Sequence, residues 1–489
     1  MLAVHREKGL SLMRNRRVKI LATLGPASSD EAMIRRLHDA GADVFRINMS
    51  HTDHDTMREL VARIRRVEAT VNRPIGILAD LQGPKLRVGK FAEGKVELQP
   101  GDIITLDGNP EPGDRNRVYL PHPEILETVQ PGHRLLIDDG KLQLRALASD
   151  GGAVRCEVVA GTRISDKKGV SLPDTLLTSG ALTEKDRRDL DAVLEAEVDW
   201  LALSFIQRPE DLAEVRKLAR GRAGILSKIE KPQAVQRLDE IIELSDAIMV
   251  ARGDLGVEMP LEQVPGIQKR ITRAARRAGK PVVVATQMLE SMITAPVPTR
   301  AEVSDVSIAV FEGADAVMLS AESAAGAYPI EAVQTMDRIA VEVEKDPHYL
   351  GIIVAQRATP DATAADAVSL AARQIAETLQ VSSIVTYTST GATGLRTARE
   401  RPQIPILALS PNGSTARRLS LVWGLHSVVT DDAADMEDMV NRACRLAVEQ
   451  GCAGVGERVI VTAGVPLRTP GITNMIRIAY VGVDGSSAL

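Results

Sequence analysis

Eight short apolar segments recur along the first two-thirds of this 489-residue chain, and helical patterns separate most of them. Strands that are apolar throughout are typical of a parallel sheet that is buried on both faces. Strand followed by helix, repeated eight times, is the sequence form of a (β/α)8 barrel. The sequence therefore predicts an α/β fold with barrel strands at 19–25, 43–49, 75–80, 200–205, 224–230, 247–253, 281–287 and 316–322, and with helices that include 30–40, 208–220 and 264–278.

One interval between the predicted strands is much longer than the others. The first residues of the third and fourth strands, 75 and 200, differ by 125, whereas those of the second and third, 43 and 75, differ by 32. The long interval holds turn pairs such as Pro100-Gly101 and Asp139-Gly140 between short alternating runs, which are typical of strands joined by tight turns. We therefore expect residues 87–165 to form an inserted β-domain, a small β-barrel that acts as a lid.

The last third of the chain restarts the alternation of strand and helix. Asp346-Pro347 marks a boundary, and a linking segment follows it. Strands are predicted at 383–387, 404–409, 426–429 and 458–462, and helices at 365–379 and 436–450. The predicted domains are an N-terminal arm (1–17), the barrel (18–86 and 166–345), the inserted lid (87–165) and a C-terminal open α/β domain (346–489).

Charge and composition exclude several classes of partner. The formal net charge is -5 and aromatic residues make up 2% of the chain, so neither a basic field nor stacking platforms favour nucleic acid. No run approaches the roughly 20 apolar residues of a membrane span. The basic N-terminal stretch lacks the apolar core of a secretory signal, and three cysteines without metal-ligand spacing favour a reducing compartment. We expect a cytoplasmic protein that binds neither nucleic acid nor membrane.

Polar side chains gather where the predicted strands end. In a parallel barrel the carboxyl ends of all strands share one face, where loops assemble the active site. That face would collect Arg46, Asn48, Ser50, Asp80, Lys228, Glu230, Asp254 and Thr286. Two carboxylates near two cations suit a divalent metal and a phosphate, since Mg2+ takes oxygen ligands. Taken singly, Lys228 and Glu230 would more simply form an ion pair, and Asp254 would cap a helix.

Six segments resemble, in order, the signature blocks of the pyruvate kinase family. They are 46–51 (RINMSH), 227–230 (SKIE), 251–258 (ARGDLGVE), 285–292 (ATQMLESM), 298–305 (PTRAEVSD) and 315–322 (DAVMLSAE). The resemblance extends more loosely over nearly the whole chain, in the family's arrangement of barrel, inserted lid and C-terminal domain. It implies transfer of the phosphoryl group of phosphoenolpyruvate to ADP, which gives pyruvate and ATP in the last step of glycolysis.

The resemblance also implies roles for the matching residues in phosphoryl transfer. Glu230 and Asp254 would bind Mg2+ or Mn2+. Lys228 would stabilise the transition state by facing the moving phosphoryl group and the enolate oxygen. Arg46 would hold the phosphate with its planar fork of donors.

Further matching residues are implied to bind substrate or nucleotide. Thr286 would orient a water that protonates the enolate carbon. The carboxylate of phosphoenolpyruvate would meet the backbone at a helix start whose first N–H groups are unpaired, formed by Ala251, Arg252, Gly253 and Asp254. The nucleotide would be contacted by Asn48, Arg87 and Lys168.

One block departs from the family's commoner form. Many members read Asp-Thr-Lys-Gly-Pro-Glu where this chain reads Asp80-Leu-Gln-Gly-Pro-Lys85, and the common form helps to hold an activating K+. Leu81 removes an oxygen ligand, and the Lys85 ammonium would supply a positive charge that repels a cation beside it. We hypothesise that Lys85 replaces K+ and leaves a polar monovalent-ion pocket of Asn48, Ser50, Asp80 and Leu81.

Other readings of the sequence stay open. A Mg2+-dependent lyase or aldolase acting on a pyruvate enolate would use a similar carboxylate pair, but it leaves the inserted lid unexplained. A non-catalytic effector-binding relative would have kept the barrel but lost catalysis. The loop 388–394 is rich in hydroxyl and glycine residues and resembles the region where family members bind phosphorylated effectors, although an ordinary turn fits equally well. The resemblance further implies a homotetramer.

Overall fold

The computed structural model describes residues 13–177, 180–467, 469 and 471–488. Residues 1–12 of the predicted arm (1–17) therefore lie outside the described residues. The strands are β1 (Lys19–Thr23), β2 (Val44–Asn48), β3 (Gly76–Asp80), β4 (Lys95–Glu97), β5 (Ile103–Asp107), β6 (Arg117–Tyr119), β7 (Arg134–Ile137), β8 (Leu142–Ser149), β9 (Ala153–Ala160), β10 (Arg163–Ser165), β11 (Val170–Ser171), β12 (Trp200–Leu203), β13 (Gly224–Ile229), β14 (Ala247–Ala251), β15 (Val282–Ala285), β16 (Ala316–Leu319), β17 (Ser383–Tyr387), β18 (Ile406–Ser410), β19 (Leu425–Val429), β20 (Arg458–Ala463), β21 (Met475–Val481) and β22 (Ser487–Ala488).

The helices connect these strands and cover their faces. They are α1 (Glu31–Ala40), α2 (His54–Val71), α3 (Pro123–Thr128), α4 (Glu184–Glu195), α5 (Pro209–Ala219), α6 (Pro232–Gln236), α7 (Leu238–Leu244), α8 (Arg252–Glu258), α9 (Val264–Arg277), α10 (Arg300–Phe311), α11 (Ala321–Ala324), α12 (Pro329–Lys345), α13 (Pro347–Ala355), α14 (Ala364–Leu379), α15 (Ala392–Arg399), α16 (Gly413–Leu419) and α17 (Met436–Glu449). Short 3-10 helices lie at Leu261–Gln263 and Glu290–Ile293.

Eight parallel strands close the predicted barrel. Neighbours around the ring are β1, β16, β15, β14, β13, β12, β3 and β2, and all eight strands lie within the segments predicted from the sequence, which confirms the (β/α)8 fold. Two predicted strands extend into helices, because the chain enters α8 at Arg252 and α11 at Ala321. A short apolar run cannot distinguish the end of a strand from the first turn of a short helix.

Helix α1 illustrates how the sequence fixes a barrel helix. The Asp30 side chain accepts the N–H of Met33 at the helix start, and Gly41 ends the helix with φ 140, a conformation that glycine adopts at little cost. Between these signals, Ile34 and Leu37 are fully buried against the barrel. Spacing of three residues places both side chains on one helix face, so capping and packing act on the same segment.

The inserted β-domain has its own core and contains two sheets. A six-stranded sheet runs in the order β11, β7, β8, β9, β5, β6, and a two-stranded sheet pairs β10 with β4. Among the described strands these sheets stay separate, so the expected closed β-barrel is wrong in that detail. The domain also extends past its predicted end at 165, because Val170 pairs with Ile137 and Leu172 is buried in the domain's core.

The C-terminal domain is an open α/β sheet, as predicted. Its strand order is β19, β18, β17, β20, β21, β22, and the first four are parallel. Strands β21 and β22, which the sequence analysis missed, add an antiparallel edge. The predicted linking segment after Asp346 contains α13, whose Tyr349 and Ile353 are buried in the barrel core.

The described end of the predicted arm is bound to the barrel. Arg16 is 2% exposed, and its guanidinium pairs with Asp43 at 2.8 Å and Asp337 at 2.6 Å. This residue is therefore part of the folded barrel, which corrects the predicted arm boundary at 17. Within the described residues, no helix combines the length and apolar character that crossing a membrane requires.

Candidate active site

The Lys228 ammonium lies among oxygen-bearing side chains at the carboxyl end of the barrel. Its Nζ lies 2.8 Å from Glu230 Oε1 and 3.4 Å from Asp80 Oδ1, and it donates a hydrogen bond of 2.7 Å to Ser204 Oγ. Burial alone would lower the pKa of Lys228, but the surrounding carboxylates, Asp80 first, outweigh burial and raise it. The ammonium therefore stays charged at neutral pH, and 12% of the side chain faces solvent.

Glu230 directly follows β13 and keeps one carboxylate oxygen without a hydrogen bond. Its Oε2 accepts the backbone N–H of Phe205 at 2.8 Å. Its buried Oε1 lies beside Lys228 in an ion pair and accepts no hydrogen bond from the residues that the structure describes. Burial raises the pKa of Glu230 to about 7, although Lys228 acts in the opposite direction. A buried carboxylate with an available oxygen is suited to binding a cation.

Arg46 extends from β2 across the mouth of the barrel and is held on two sides. Its Nε donates to Asp80 Oδ2 at 2.7 Å, and its Nη1 donates to Thr23 Oγ1 at 3.1 Å. Burial would raise the pKa of Asp80, but Lys228 and Arg46 lower it below its usual range. Asp80 is therefore a shared counter-charge that positions both cations at one place.

Asp254 lies in the first turn of α8, which begins directly after β14. Its side chain belongs to an exposed residue. Its charge acts on both Lys228 and Glu230, which locates the carboxylate at the same mouth. The chain thus brings a second carboxylate to the site from the neighbouring strand end.

Thr286 occupies a strained backbone position just after β15. Its φ is 69 and that of Gln287 is 53. Positive φ is an outlier for a β-branched residue and costs on the order of 1–3 kcal/mol. The strained turn directs the Thr286 hydroxyl to donate to the Ala285 carbonyl at 2.6 Å and to accept the Gly253 N–H at 2.7 Å. The sequence analysis placed Thr286 inside the strand and left the Gly253 N–H unpaired, and both expectations are wrong.

The Arg252 side chain points to the turn that contains Thr286. It donates to the Thr286 carbonyl at 2.7 Å and pairs with Asp305 at 2.6 Å. Its guanidinium also lies 2.9 Å from Met288 Sδ. These contacts hold the strained turn in place. Because they occupy the Arg252 guanidinium, the predicted contact of Arg252 with substrate would be made by its backbone.

The two predicted nucleotide contacts at the lid hinge lie on adjacent chain segments. The backbone of Arg87 forms an isolated antiparallel β-bridge with Gly169, and Arg87 Nη1 donates a hydrogen bond to the Lys167 carbonyl at 2.7 Å. Lys168 Nζ pairs with Asp138 of the inserted domain at 3.0 Å. Both cations are part of the hinge, and each is at least one-third exposed.

The predicted monovalent-ion pocket is only partly assembled. Asn48 Oδ1 accepts the Ser50 N–H at 3.1 Å, while the Leu81 side chain is 2% exposed and packs in the barrel core. Lys85 is half-buried and makes no hydrogen bond or ion pair with the described residues. Its pKa is lowered by burial first and then by Arg87 and other nearby cations. The Lys85 ammonium therefore faces the mouth among other positive charges.

The donors at the mouth fit a divalent cation that prefers oxygen. Glu230 and Asp254 supply carboxylates from neighbouring strand ends, and Glu230 Oε1 accepts no hydrogen bond. Over the described ranges, no group of three or more His, Cys, Asp or Glu side chains could hold a metal. Mg2+ commonly uses one or two carboxylates together with substrate oxygens and water, so this pair is sufficient when substrate oxygens complete the coordination.

Sequence reasoning missed several residues that position the site. Ser204 accepts a hydrogen bond from Lys228, and Phe205 turns its N–H to Glu230 with φ 57. Thr23 supports Arg46 from the first strand. All three residues lie at strand ends, and this position is the feature of the sequence that could have identified them. Serine and phenylalanine carry no charge, so their residue types did not indicate a role in the site.

The glycine-rich loop 388–394 follows β17 and begins α15. Gly391 has φ 92, and its N–H donates to Thr388 Oγ1 at 2.9 Å. A cavity of about 300 Å3 lies beside the loop and is lined also by Asn412 and Asp432. Among the described residues that line this cavity, none is lysine or arginine.

Comparisons with family models match most of the chain. The model described as "Pyruvate kinase, barrel domain" matches residues 15–333, and the one described as "Pyruvate kinase, alpha/beta domain" matches residues 366–479. The two matches cover the barrel with its insertion and the C-terminal sheet.

Known proteins are similar over almost the full length. A pyruvate kinase of Methylorubrum extorquens is 60% identical over 96% of this chain and 98% of its own length. A pyruvate kinase of Agrobacterium vitis is 48% identical over 96% of this chain and 99% of its own. The crystal structure of a pyruvate kinase from Cryptosporidium parvum superposes with a TM-score of 0.90 at 32% identity, over 95% of this chain and 96% of that one.

Proposed function

Because the chain belongs to the pyruvate kinase family, it is a phosphotransferase that moves the phosphoryl group of phosphoenolpyruvate to ADP in the last step of glycolysis, and we propose that Lys228 is the centre of this chemistry. The observation that carries the proposal is the position of the Lys228 ammonium, 2.8 Å from Glu230 and 3.4 Å from Asp80 at the carboxyl end of the barrel. Active sites of such barrels lie at that end.

Lys228 and Arg46 would act on the phosphoryl group as two fixed positive charges. Phosphoryl transfer depends on positioning and charge neutralisation rather than on covalent catalysis. Arg46 is fixed by Asp80 and Thr23, which leaves its remaining N–H groups for phosphate oxygens. Lys228 would face the bridging oxygen, which becomes the enolate oxygen as the phosphorus–oxygen bond breaks.

Glu230 and Asp254 would hold the divalent metal that the family requires, and we propose Mg2+, with Mn2+ as the alternative. When bound, this ion supplies positive charge that polarises the phosphoryl oxygens. Glu230 is held by the Phe205 N–H through the oxygen that is not needed for the metal. The available Oε1 therefore keeps a defined direction.

The carboxylate and carbon ends of the substrate would meet α8 and Thr286. The backbone of residues 251–254 remains our prediction for the carboxylate, except for the Gly253 N–H, which donates to the Thr286 hydroxyl and so places that hydroxyl beside the predicted carboxylate site. A threonine hydroxyl is too weak an acid to protonate an enolate alone, so Thr286 would orient a water that delivers the proton. The clamp between Arg252 and Asp305 keeps that hydroxyl in place.

ADP would enter from the lid side, where Arg87 and Lys168 are exposed at the hinge. Both side chains already bind groups of the hinge or the inserted domain, so their contact with phosphate would accompany a change in lid position. Asn48, at the mouth, completes the predicted nucleotide contacts.

Removal of divalent metal should abolish turnover. We expect ATP to form from ADP and phosphoenolpyruvate when Mg2+ is present, and the rate to fall by at least about 100-fold in EDTA, since without the cation the Glu230 and Asp254 carboxylates would repel the phosphoryl oxygens. A coupled luminescence assay measures the ATP. A lyase or aldolase would consume a pyruvate donor without ADP, and a non-catalytic relative would give neither product, so absence of ATP in Mg2+ contradicts the proposal.

Lys85 should make the enzyme independent of K+. We expect equal rates in K+, Na+ and tetramethylammonium buffers, because the Lys85 ammonium already supplies the positive charge. A unit charge about 8 Å from the reacting group contributes on the order of 2 kcal/mol at an effective dielectric constant near 20. Steady-state rates of Lys85→Met should therefore be roughly 30-fold lower in tetramethylammonium, with part of the loss restored by K+.

Lys90→Met is the matched control for Lys85. Lys90 is exposed on the inserted domain, so its loss should leave the rate in every buffer unchanged. A many-fold increase when K+ is added to the unsubstituted enzyme would contradict the role of Lys85.

Two further expectations rest on resemblance to the family, and a third, the location, rests on the composition of the chain. A homotetramer, a phosphorylated effector at the loop 388–394 and a cytoplasmic location remain predictions. The three cysteines are buried and unpaired, which supports the location because thiols persist in reducing compartments.

A further inference from the structure

A second cavity, of about 470 Å3, lies between the barrel and the C-terminal domain. We call it the interdomain cavity. Its barrel wall includes Trp200 and Gly224, the first residues of β12 and β13. Its other wall comes from α14, α15 and α16. Since Lys228 and Glu230 lie at the opposite ends of the strands, this cavity is separate from the active site.

The interdomain cavity carries an excess of positive charge. Its lining includes five cationic side chains, Arg216, Lys280, Arg396, Arg399 and Arg418, and three carboxylates, Asp246, Asp361 and Asp366. Most of the carboxylates are already paired. Asp246 pairs with Arg216 at 2.8 Å, and Asp366 pairs with Arg396 at 3.3 Å and also with Arg399.

Two of these cations have no carboxylate partner among the described residues. Lys280 Nζ donates to the Ser245 carbonyl at 2.6 Å, and Arg418 Nη2 donates to the Gly221 carbonyl at 3.4 Å. Burial lowers the pKa of Lys280, and the paired Asp246 only partly opposes this. A charged group that is partly removed from water and lacks a counter-ion favours the binding of an anion.

The same walls contain hydrogen-bond donors that lack acceptors. Trp200 Nε1, Arg399 Nε and Arg418 Nε are buried and have no hydrogen-bond partner in the described part of the chain. All three are N–H groups, and no lining carboxylate or carbonyl side chain is unsatisfied in the same way. The imbalance favours a ligand rich in acceptor oxygens, because small rotations of the guanidinium groups would bring their N–H groups to it.

The remaining lining is apolar and leaves room for an organic group. Leu395, Leu419 and Val422 line the C-terminal side, and Ile225 lines the barrel side. A volume of about 470 Å3 is within the range of small-molecule sites, which are roughly 300–1,000 Å3. The cavity beside the loop 388–394 shares Thr390 and Ala392 with this one but lacks cationic lining in the described residues.

We propose that the interdomain cavity binds a small organic phosphate monoester, with Lys280 and Arg418 as its principal cationic contacts. The phosphate dianion supplies the missing counter-charge, and the organic group lies against Leu395 and Val422. A ligand in this place contacts the barrel and the C-terminal domain together, so it stabilises their present arrangement. This site is independent of the substrate phosphates at the barrel mouth.

Titration with phenyl phosphate tests the proposal on the full-length enzyme. The chain has two tryptophans, of which Trp200 lines the cavity and Trp423 does not. We expect phenyl phosphate to give saturable heat in isothermal titration calorimetry and a saturable change in tryptophan emission. Neutral benzamide should give neither, and inorganic phosphate should bind at least about tenfold more weakly, since it lacks the apolar contacts.

Two arginine variants locate the binding. Arg418→Gln should weaken phenyl phosphate binding at least about tenfold, because it removes a charge-assisted contact. Arg445→Gln, which removes an exposed arginine of α17 outside the cavity, should not change it. Unchanged affinity in Arg418→Gln would place the ligand elsewhere, including at the active site, and would overturn the proposal. Equal affinity for inorganic phosphate would overturn the assignment of an organic ligand, and absence of saturable binding would remove the site.

Discussion

Lys228→Met should lower kcat by about 10³-fold to 10⁵-fold, the range found when a positive charge that neutralises a transferring phosphoryl group is removed. This loss corresponds to roughly 4–7 kcal/mol of barrier. Methionine keeps the length and packing of the side chain but has no ammonium to face the phosphoryl and enolate oxygens. Steady-state assays of ATP formation at saturating phosphoenolpyruvate, ADP and Mg2+ measure the effect. Because Arg46 would still bind the phosphate, KM for phosphoenolpyruvate should change much less than kcat.

The substitution also removes a buried ion pair, so a loss of stability must be separated from a loss of chemistry. Lys231→Met is the matched control. Lys231 adjoins the site, and its Nζ lies 2.6 Å from Glu258 Oε1, with both side chains nearly buried. Breaking such a pair costs on the order of 3–5 kcal/mol, and the thermal midpoints of both variants should fall. Only Lys228→Met should lose turnover well below its melting temperature. Comparable turnover in the two variants would contradict the catalytic role.

The sequence predicts the ring of strands well because the signal is repeated. Each barrel strand is a short apolar run followed by polar residues, and the polar groups belong at one end of the barrel for topological reasons. Lys228, Glu230 and Arg46 could therefore be assigned to one mouth before their distances were available. The ion pairs of Lys228 and Arg46 with Asp80 follow from the same arrangement.

Local backbone geometry could not be predicted in the same way. The positive φ of Thr286 and Phe205 contradicts what their residue types favour, since tertiary contacts determine these conformations. The Arg252 side chain illustrates the same limit. Its position within a signature block indicates an active-site residue, but only the structure shows that its guanidinium binds the Thr286 carbonyl.

Some elements of the inserted and C-terminal domains could not be predicted from the pattern of apolar residues. β11 consists of Val170 and Ser171 alone and is defined by its pairing with β7, so two residues gave no periodic signal. β21 alternates only over its last residues, since Met475 and Ile476 are both half-buried. The positive interdomain cavity is assembled from seven separated segments, and no single motif predicts it.

Glu230→Gln should weaken Mg2+ binding by about 100-fold or more and lower kcat by at least about tenfold even at high Mg2+. Glutamine keeps an acceptor for the Phe205 N–H but removes the negative charge, and a neutral amide oxygen is a weaker ligand for a hard cation than a carboxylate. The loss should be large because Asp254 would remain as the only protein carboxylate, and substrate oxygens cannot restore the missing charge.

Initial rates measured from micromolar to high millimolar Mg2+ give the half-saturating concentration, and calorimetric titration in the presence of phosphoenolpyruvate gives binding without turnover. Glu258→Gln is the control, since Glu258 is equally buried and pairs with Lys231 but lies at the far end of α8 from Asp254. We expect its Mg2+ dependence to stay within about twofold of the unsubstituted enzyme, because a residue that does not touch the ion changes its affinity only through the ligands it positions. An unaltered half-saturating Mg2+ concentration in Glu230→Gln would exclude Glu230 as a ligand. Selective loss in Glu230→Gln would leave the carboxylate beside Lys228 as the anchor of the cation.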